Sequence, residues 1–268
     1  MSQQLDVDAV LFDIDGVLAV SWQGIPHASA AVRAVRDAGL PIRFVTNTTS
    51  RSAESITYAL HAIDIEVHHG ELLTAALSTA RYIERSHPGA NCLVLNSGEV
   101  GEDLESLQLV DDPTQADIVV VGGAGPEFSY DALDHAFRAL QHGATLIAMH
   151  RNMFWATSSG NQLDAGAFVA ALEAAAGVDA IVMGKPSPTF FAEALRSAGA
   201  SPARTAMVGD DVHSDVLGAQ RAGIVGVLVH TGKYRPEDVK AAADAGDGSP
   251  DHQIDSVADL PALLGIRS

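Results

Sequence analysis

Apolar residues recur along the chain in short runs separated by longer amphipathic stretches and by turns rich in Gly, Pro and Asp. The first run, 7–12, carries Val7, Ala9, Val10, Leu11 and Phe12, a composition that fits a strand buried on both faces. Comparable runs predict strands over 40–45, 92–95, 117–122, 144–149, 180–183, 203–208 and 224–229. Between them the spacing predicts helices. One covers 28–39, with Val32 and Val35 on one face and Gly39 as its stop. Others cover 52–62, 71–87, 130–142, 163–176, 188–199 and 214–222, the one at 188 with Ser187 as N-cap and Pro188 in its first turn. Residues 16–27 and 244–250 read as loops. Strands alternating with helices signal an α/β protein with a parallel sheet. The middle of the chain has apolar strands of its own, which predicts an inserted α/β domain at 76–180 between two parts of a main domain, 1–75 and 181–268.

Composition narrows the class. At 268 residues and 47% hydrophobic, the chain can bury a substantial core. The single cysteine, Cys92, excludes an internal disulfide framework. The net charge of -18, from 34 acids against 16 bases, disfavours nucleic acid and anionic membranes as partners. No apolar run is long enough to span a bilayer and the first residues lack a secretory pattern, so the expectation is a soluble cytoplasmic protein.

Candidate chemistry sits where the predicted strands end. The first strand runs into Asp13-Ile14-Asp15-Gly16, and two acids one residue apart at the end of a buried strand call for a cation between them. Thr46-Asn47, Lys185 and Asp210-Asp211 stand at the ends of three other predicted strands. That edge is where open α/β sheets bind ligands. Carboxylates from Asp13, Asp15, Asp210 and Asp211 suit a hard dication such as Mg²⁺. A Thr hydroxyl, a Lys ammonium and backbone N–H groups suit phosphate oxygens. Together they suit phosphoryl transfer, with Asp13 attacking phosphorus, Asp15 serving as general acid and then base, and Lys185 offsetting charge.

These motifs, Asp13-Ile14-Asp15-Gly16-Val17-Leu18, Thr46-Asn47, Lys185-Pro186 and Gly209-Asp210-Asp211 with Asp215, resemble in order those of the haloacid dehalogenase superfamily. The resemblance implies a doubly wound, Rossmann-like parallel sheet with an inserted C2-type cap of the class IIA, NagD-like branch. It implies a Mg²⁺-dependent phosphatase working through a phospho-aspartate, with Asp13, Asp15 and Lys185 catalytic and Thr46 and Asn47 holding phosphate. Asp164, at the start of a cap helix, would touch substrate. Asp211 and Asp215 either bind the metal directly or support it from behind, and Asp215 fits equally well as a residue in the first turn of the following helix. Gly184-Lys185-Pro186-Ser187-Pro188, Gly218-Ala219-Gln220 and Thr231-Gly232-Lys233-Tyr234 extend the likeness towards the phospholysine phosphohistidine inorganic pyrophosphate phosphatase subgroup. Some members of that subgroup carry Ser in place of the second Asp; Asp15 is retained here, which favours ordinary phosphomonoester hydrolysis.

The substrate class stays open among sugar phosphates, nucleotides, pyrophosphate and phosphoamino acids. An exposed cap surface is compatible with a homodimer. Two other functions fit part of the pattern: a phospho-aspartate signalling receiver and a non-catalytic phosphate-binding protein. A receiver would be much shorter and would not place Asp15 to hydrolyse the intermediate, and an idle binding protein is disfavoured because every expected functional group is present.

Overall fold

The strand Ala9–Asp13 is buried along its whole length, and since successive side chains point to opposite faces, both faces of the sheet around it are covered. This computed structural model describes residues 4–157 and 160–266, the side chains of 155–157 aside. The chain forms two units. One comprises the residues up to Thr46, Glu54–Leu73 and those from Lys185 on; the other comprises Asn47–Ala53 and Thr74–Gly184.

The first unit holds a six-stranded sheet in the order His252–Ile254, Val225–Val229, Thr205–Gly209, Ala9–Asp13, Ile42–Thr46, Leu72–Thr74. Its four central and outer pairings from Ile42–Thr46 to His252–Ile254 are parallel. The chain starts at the centre, proceeds to one edge, and on its return fills the other side. The order therefore reverses between Ala9–Asp13 and Thr205–Gly209, and a crevice at such a switch point is a ready ligand site. The helix Ala28–Asp37 packs with the C-terminal helix Leu260–Leu263, and Pro188–Ala198 packs with Gly218–Arg221.

The second unit has a parallel sheet of its own, ordered Ile181–Val182, Thr145–Ala148, Ile118–Val121, Asn91–Leu95, Gln108–Leu109. Alternation along Ile118–Val121 divides its core. Val119 and Val121 join the cluster under the helices Tyr130–Gln141 and Ala165–Ala176, while Ile118 and Val120 join the one under Ala75–Ser86. An antiparallel hairpin pairs Phe154–Thr157 with Gly160–Leu163.

The α/β alternation appears as the sequence predicts, with local departures. The expected helix at 71–87 begins as a strand, because Leu72 and Leu73 are buried beside Ile42–Thr46 and Thr74 then caps the helix, its hydroxyl accepting the Leu77 N–H at 3.0 Å. The loop at 16–27 contains a tight hairpin, Ala19–Val20 with Gln23–Gly24. Its turn residues, Ser21 and Trp22, have φ of 50° and 62°, as a type I′ turn requires, without the Asn-Gly that usually signals one. Residues 181–184 belong to the second unit, since Ile181–Val182 pairs with Thr145–Ala148.

Candidate active site

Asp13 is the last residue of its strand and only 5% exposed. Asp210 follows the neighbouring strand Thr205–Gly209 directly and is also buried. Beyond it the chain takes a wide helical turn, Val212–Leu217, in which Val216 N–H reaches the Asp211 carbonyl at 3.3 Å. That turn brings Asp215 back over the end of the strand, where Gly209 makes room: a Cβ there would collide with the Asp215 side chain. Asp13, Asp210 and Asp215 each offer an oxygen within 4.8 Å of the others.

Lys185 lies among these acids, itself 5% exposed. Its Nζ contacts Asp13 Oδ1 and lies 2.7 Å from Asp215 Oδ1. Pro186, joined to it by a cis bond, packs so closely on Gly218 that a Cβ at that glycine would lie 2.6 Å from the Pro186 Cβ. Burial works against the Lys185 charge, but Asp13 and Asp215 more than reverse this and raise its pKa above the usual lysine value. Burial, reinforced by Asp215 and Asp210, outweighs Lys185 and raises the Asp13 carboxyl well above the ordinary range. Asp210 is pushed up to about 6 by burial and by the Asp215 charge, against the Lys233 N–H that donates to its Oδ2 at 2.7 Å. One lysine against three buried carboxylates leaves negative charge uncompensated, and an all-oxygen donor set of this kind fits Mg²⁺.

The other residues singled out from sequence fall as follows. Asp15 is partly exposed, in a turn closed by the Gly16 N–H donating to the Ala19 carbonyl at 2.7 Å. Among the described residues it is not part of the carboxylate group, and neither is Asp211. The Asp211 Oδ1 accepts the N–H groups of His213 and Ser214 at 2.9 and 3.0 Å, so it caps the turn, while Asp215 takes the place by the cluster. Thr46 ends the strand Ile42–Thr46, one residue beyond Val45, which pairs with Asp13; it is 3% exposed. Asn47 opens the second unit, where Gly184 passes so close that a Cβ on it would be 2.7 Å from Asn47 Oδ1. Asp164 is buried in the second unit as N-cap of Ala165–Ala176, accepting the Ala165 N–H at 2.8 Å and the Ala124 N–H at 3.1 Å.

Sequence reasoning gave no role to the segment after Val225–Val229. Thr231 Oγ1 donates to the Gly16 carbonyl at 2.5 Å, and the next two residues border the Asp210 carboxylate. The glycine at 232 was the visible signal, but nothing in the spacing ties it to Gly16.

Known proteins share both the sequence and the fold. The Haloacid dehalogenase-like hydrolase family model matches residues 10–110, and a HAD-hydrolase-like model matches 182–260. Haloacid dehalogenase-like hydrolase domain-containing protein 2 of Homo sapiens is 39% identical over 230 residues, 86% of either chain. The phospholysine phosphohistidine inorganic pyrophosphate phosphatase of Rattus norvegicus is 33% identical, over 94% of this chain and 93% of that protein. Among solved structures, a p-nitrophenyl phosphatase from Archaeoglobus fulgidus superposes with a TM-score of 0.90 at 29% identity, covering 97% of this chain and all 100% of the other. NagD from E. coli K-12 gives 0.84 at 26% identity, covering 95% and 98%. With Asp13 and Thr46 ending their strands, Asp210 following its own and Lys185 among the acids, the chain belongs to the haloacid dehalogenase-like hydrolase family, beside the NagD and nitrophenyl phosphatase structures.

Proposed function

We propose that the protein is a Mg²⁺-dependent phosphatase of small phosphorylated metabolites that works through a phospho-Asp13 intermediate. The observation that carries this reading is the buried group of Asp13, Asp210 and Asp215 with Lys185 among them. Asp13, Asp210 and Asp215 would hold the cation. When bound, Mg²⁺ neutralises the acids and polarises the phosphoryl oxygens.

The remaining chemistry belongs to the chain. An Asp13 carboxylate oxygen attacks phosphorus, and the bond to the leaving oxygen breaks as Asp15 gives that oxygen a proton. Asp15, partly exposed, then takes a proton from water as the water oxygen attacks phosphorus and releases Asp13. Lys185 offsets charge on the acids and phosphoryl group throughout, and the Thr46 hydroxyl with Asn47 supplies phosphate contacts. The second unit, inserted in sequence between Thr46 and Lys185, is assigned the role of a cap that selects the leaving group. The names of the relatives include phosphatases of p-nitrophenyl phosphate and of phospholysine, phosphohistidine and pyrophosphate, which makes phosphomonoesters the first substrates to try and the P–N and P–O–P bonds the second.

The test is a panel of phosphorylated metabolites with wild-type protein and Asp13→Asn, with and without Mg²⁺. Turnover by the variant should fall on the order of 10³-fold or more with the fold retained. Appreciable Mg²⁺-dependent turnover by Asp13→Asn overturns the mechanism. Long-lived stoichiometric labelling of the wild type by acetyl phosphate, without phosphate release, would favour a receiver instead.

A further inference from the structure

Three consecutive residues after Val225–Val229 pack beside the acid cluster, Thr231 against Gly16 and the next two against Asp210. Thr231 Oγ1 donates to the Gly16 carbonyl at 2.5 Å. Gly232, at φ 61°, presses on Gly16, itself at φ 87°: a Cβ on either would collide with the Asp210 carboxylate, and one on Gly232 would also meet the Gly16 Cα. Lys233 N–H donates to Asp210 Oδ2 at 2.7 Å. Asp210 Oδ2 therefore lies in a slot with two glycine walls and a backbone amide. The hydroxyl of Thr231 ties the loop that carries one wall to the loop that carries the other.

Resting on the assignment of Asp210 as a metal ligand, we propose that Thr231 is a positioning residue for Mg²⁺. Its bond to Gly16 holds the slot closed and sets the angle at which the Asp210 carboxylate meets Asp13 and Asp215. A carboxylate oriented before the cation arrives loses less freedom on binding it. Hydrogen bonds one step behind a ligand typically change metal affinity by about 10- to 100-fold. Valine matches threonine in shape and lacks the donor, so Thr231→Val leaves the Gly16 carbonyl unbonded and frees the two loops from each other.

The experiment is calorimetric titration of Mg²⁺ into wild-type protein, Thr231→Val, Thr231→Ala and Thr231→Ser without substrate, with metal-free melting as a control. Thr231→Val and Thr231→Ala should bind Mg²⁺ about tenfold or more weakly, and Thr231→Ser, which keeps the hydroxyl, should stay within about twofold of the wild type. Equal affinity in wild type and Thr231→Val, or a Thr231→Ser variant as weak as Thr231→Val, overturns the role of Thr231. So does failure of both the Val and Ala variants to give a cooperative melt, which would make the hydroxyl a requirement of folding. No Mg²⁺ binding by the wild type would overturn the metal assignment itself, an outcome distinct from the others.

Discussion

Two parallel sheets of the same construction differ in what stands at their strand ends. At and just past the strand ends the first unit has Asp13, Thr46 and Asp210; the second has Leu95-Asn96, Val121-Gly122, Ala148-Met149 and Val182-Met183. Both sheets reverse their strand order, at Ala9–Asp13 beside Thr205–Gly209 and at Asn91–Leu95 beside Ile118–Val121. The architecture thus supplies a crevice twice, and only the residues placed there make one of them acidic.

The contrast extends to the buried acids. Asp13, Asp210 and Asp215 face one another and one lysine, an arrangement that no purely structural need explains. Asp164 is as well buried, yet it accepts two backbone N–H groups and lies 4.0 Å from His150 Nε2. His150 in turn has Thr49 Oγ1 at 3.2 Å and accepts the Asn152 N–H on Nδ1 at 3.3 Å, and burial lowers its pKa against the pull of Asp164. Asp164 is buried where it satisfies backbone N–H groups; Asp13, Asp210 and Asp215 are buried in excess of the one lysine that contacts them.

The hardest blow to this contrast should come from the lysine. Lys185→Met leaves three buried acids without their contacting cation and should cost about 3–5 kcal/mol in metal-free urea unfolding. Added Mg²⁺ should recover part of that loss. Asp164→Ala, the counterpart change in the second unit, should cost about 1–2 kcal/mol and leave Mg²⁺ affinity as it was. A Lys185→Met loss no larger than that of Asp164→Ala would erase the distinction between the two kinds of burial.

The two units should also answer pH with opposite signs. Asp210 titrates near 6 when folded against an ordinary 3.8, so the folded state binds a proton more readily than the unfolded chain. Its contribution to stability is therefore fully present below about pH 4 and is lost as pH rises through about 6, a swing of about 3 kcal/mol at most. His150 is shifted downward, so the unfolded chain takes the proton first and stability is lost as pH falls below 6.5. In metal-free melts between pH 5 and 8, wild type should lose ground to Asp210→Asn as pH rises, and to His150→Gln as pH falls. The same sign for both differences would show that the acid cluster is not burdened with charge as described.

The smallest effect separates neighbours within one turn. Asp211→Ala should remove a cap worth about 1 kcal/mol and leave Mg²⁺ affinity within about twofold, whereas Asp215→Asn should weaken Mg²⁺ binding measurably in the same titration. Equal losses of affinity would return Asp211 to the cation site.

Much of this was legible in the chain. An apolar run ending in Asp13 fits a buried strand presenting an acid, and the order of acid, threonine, lysine and acid pair carried the family resemblance. Strand–helix alternation predicted both sheets, because hydrophobic periodicity is a local property that burial enforces directly. What lay beyond reach depended on angles and long-range approach. The hairpin at Ser21 and Trp22 uses left-handed backbone without the residues that announce it. The substitution of Asp215 for Asp211 at the cluster follows from the wide turn at Val212–Leu217 and the gap left by Gly209, neither of which a spacing of one or five residues encodes. The closure of Gly232 on Gly16 joins positions far apart in the chain. Sequence by itself determined the strands and the order of the charges along them; the tertiary structure decided which of those charges are buried and which of them meet, since a carboxylate's partner is set by the direction its backbone turns and not by its place in the order.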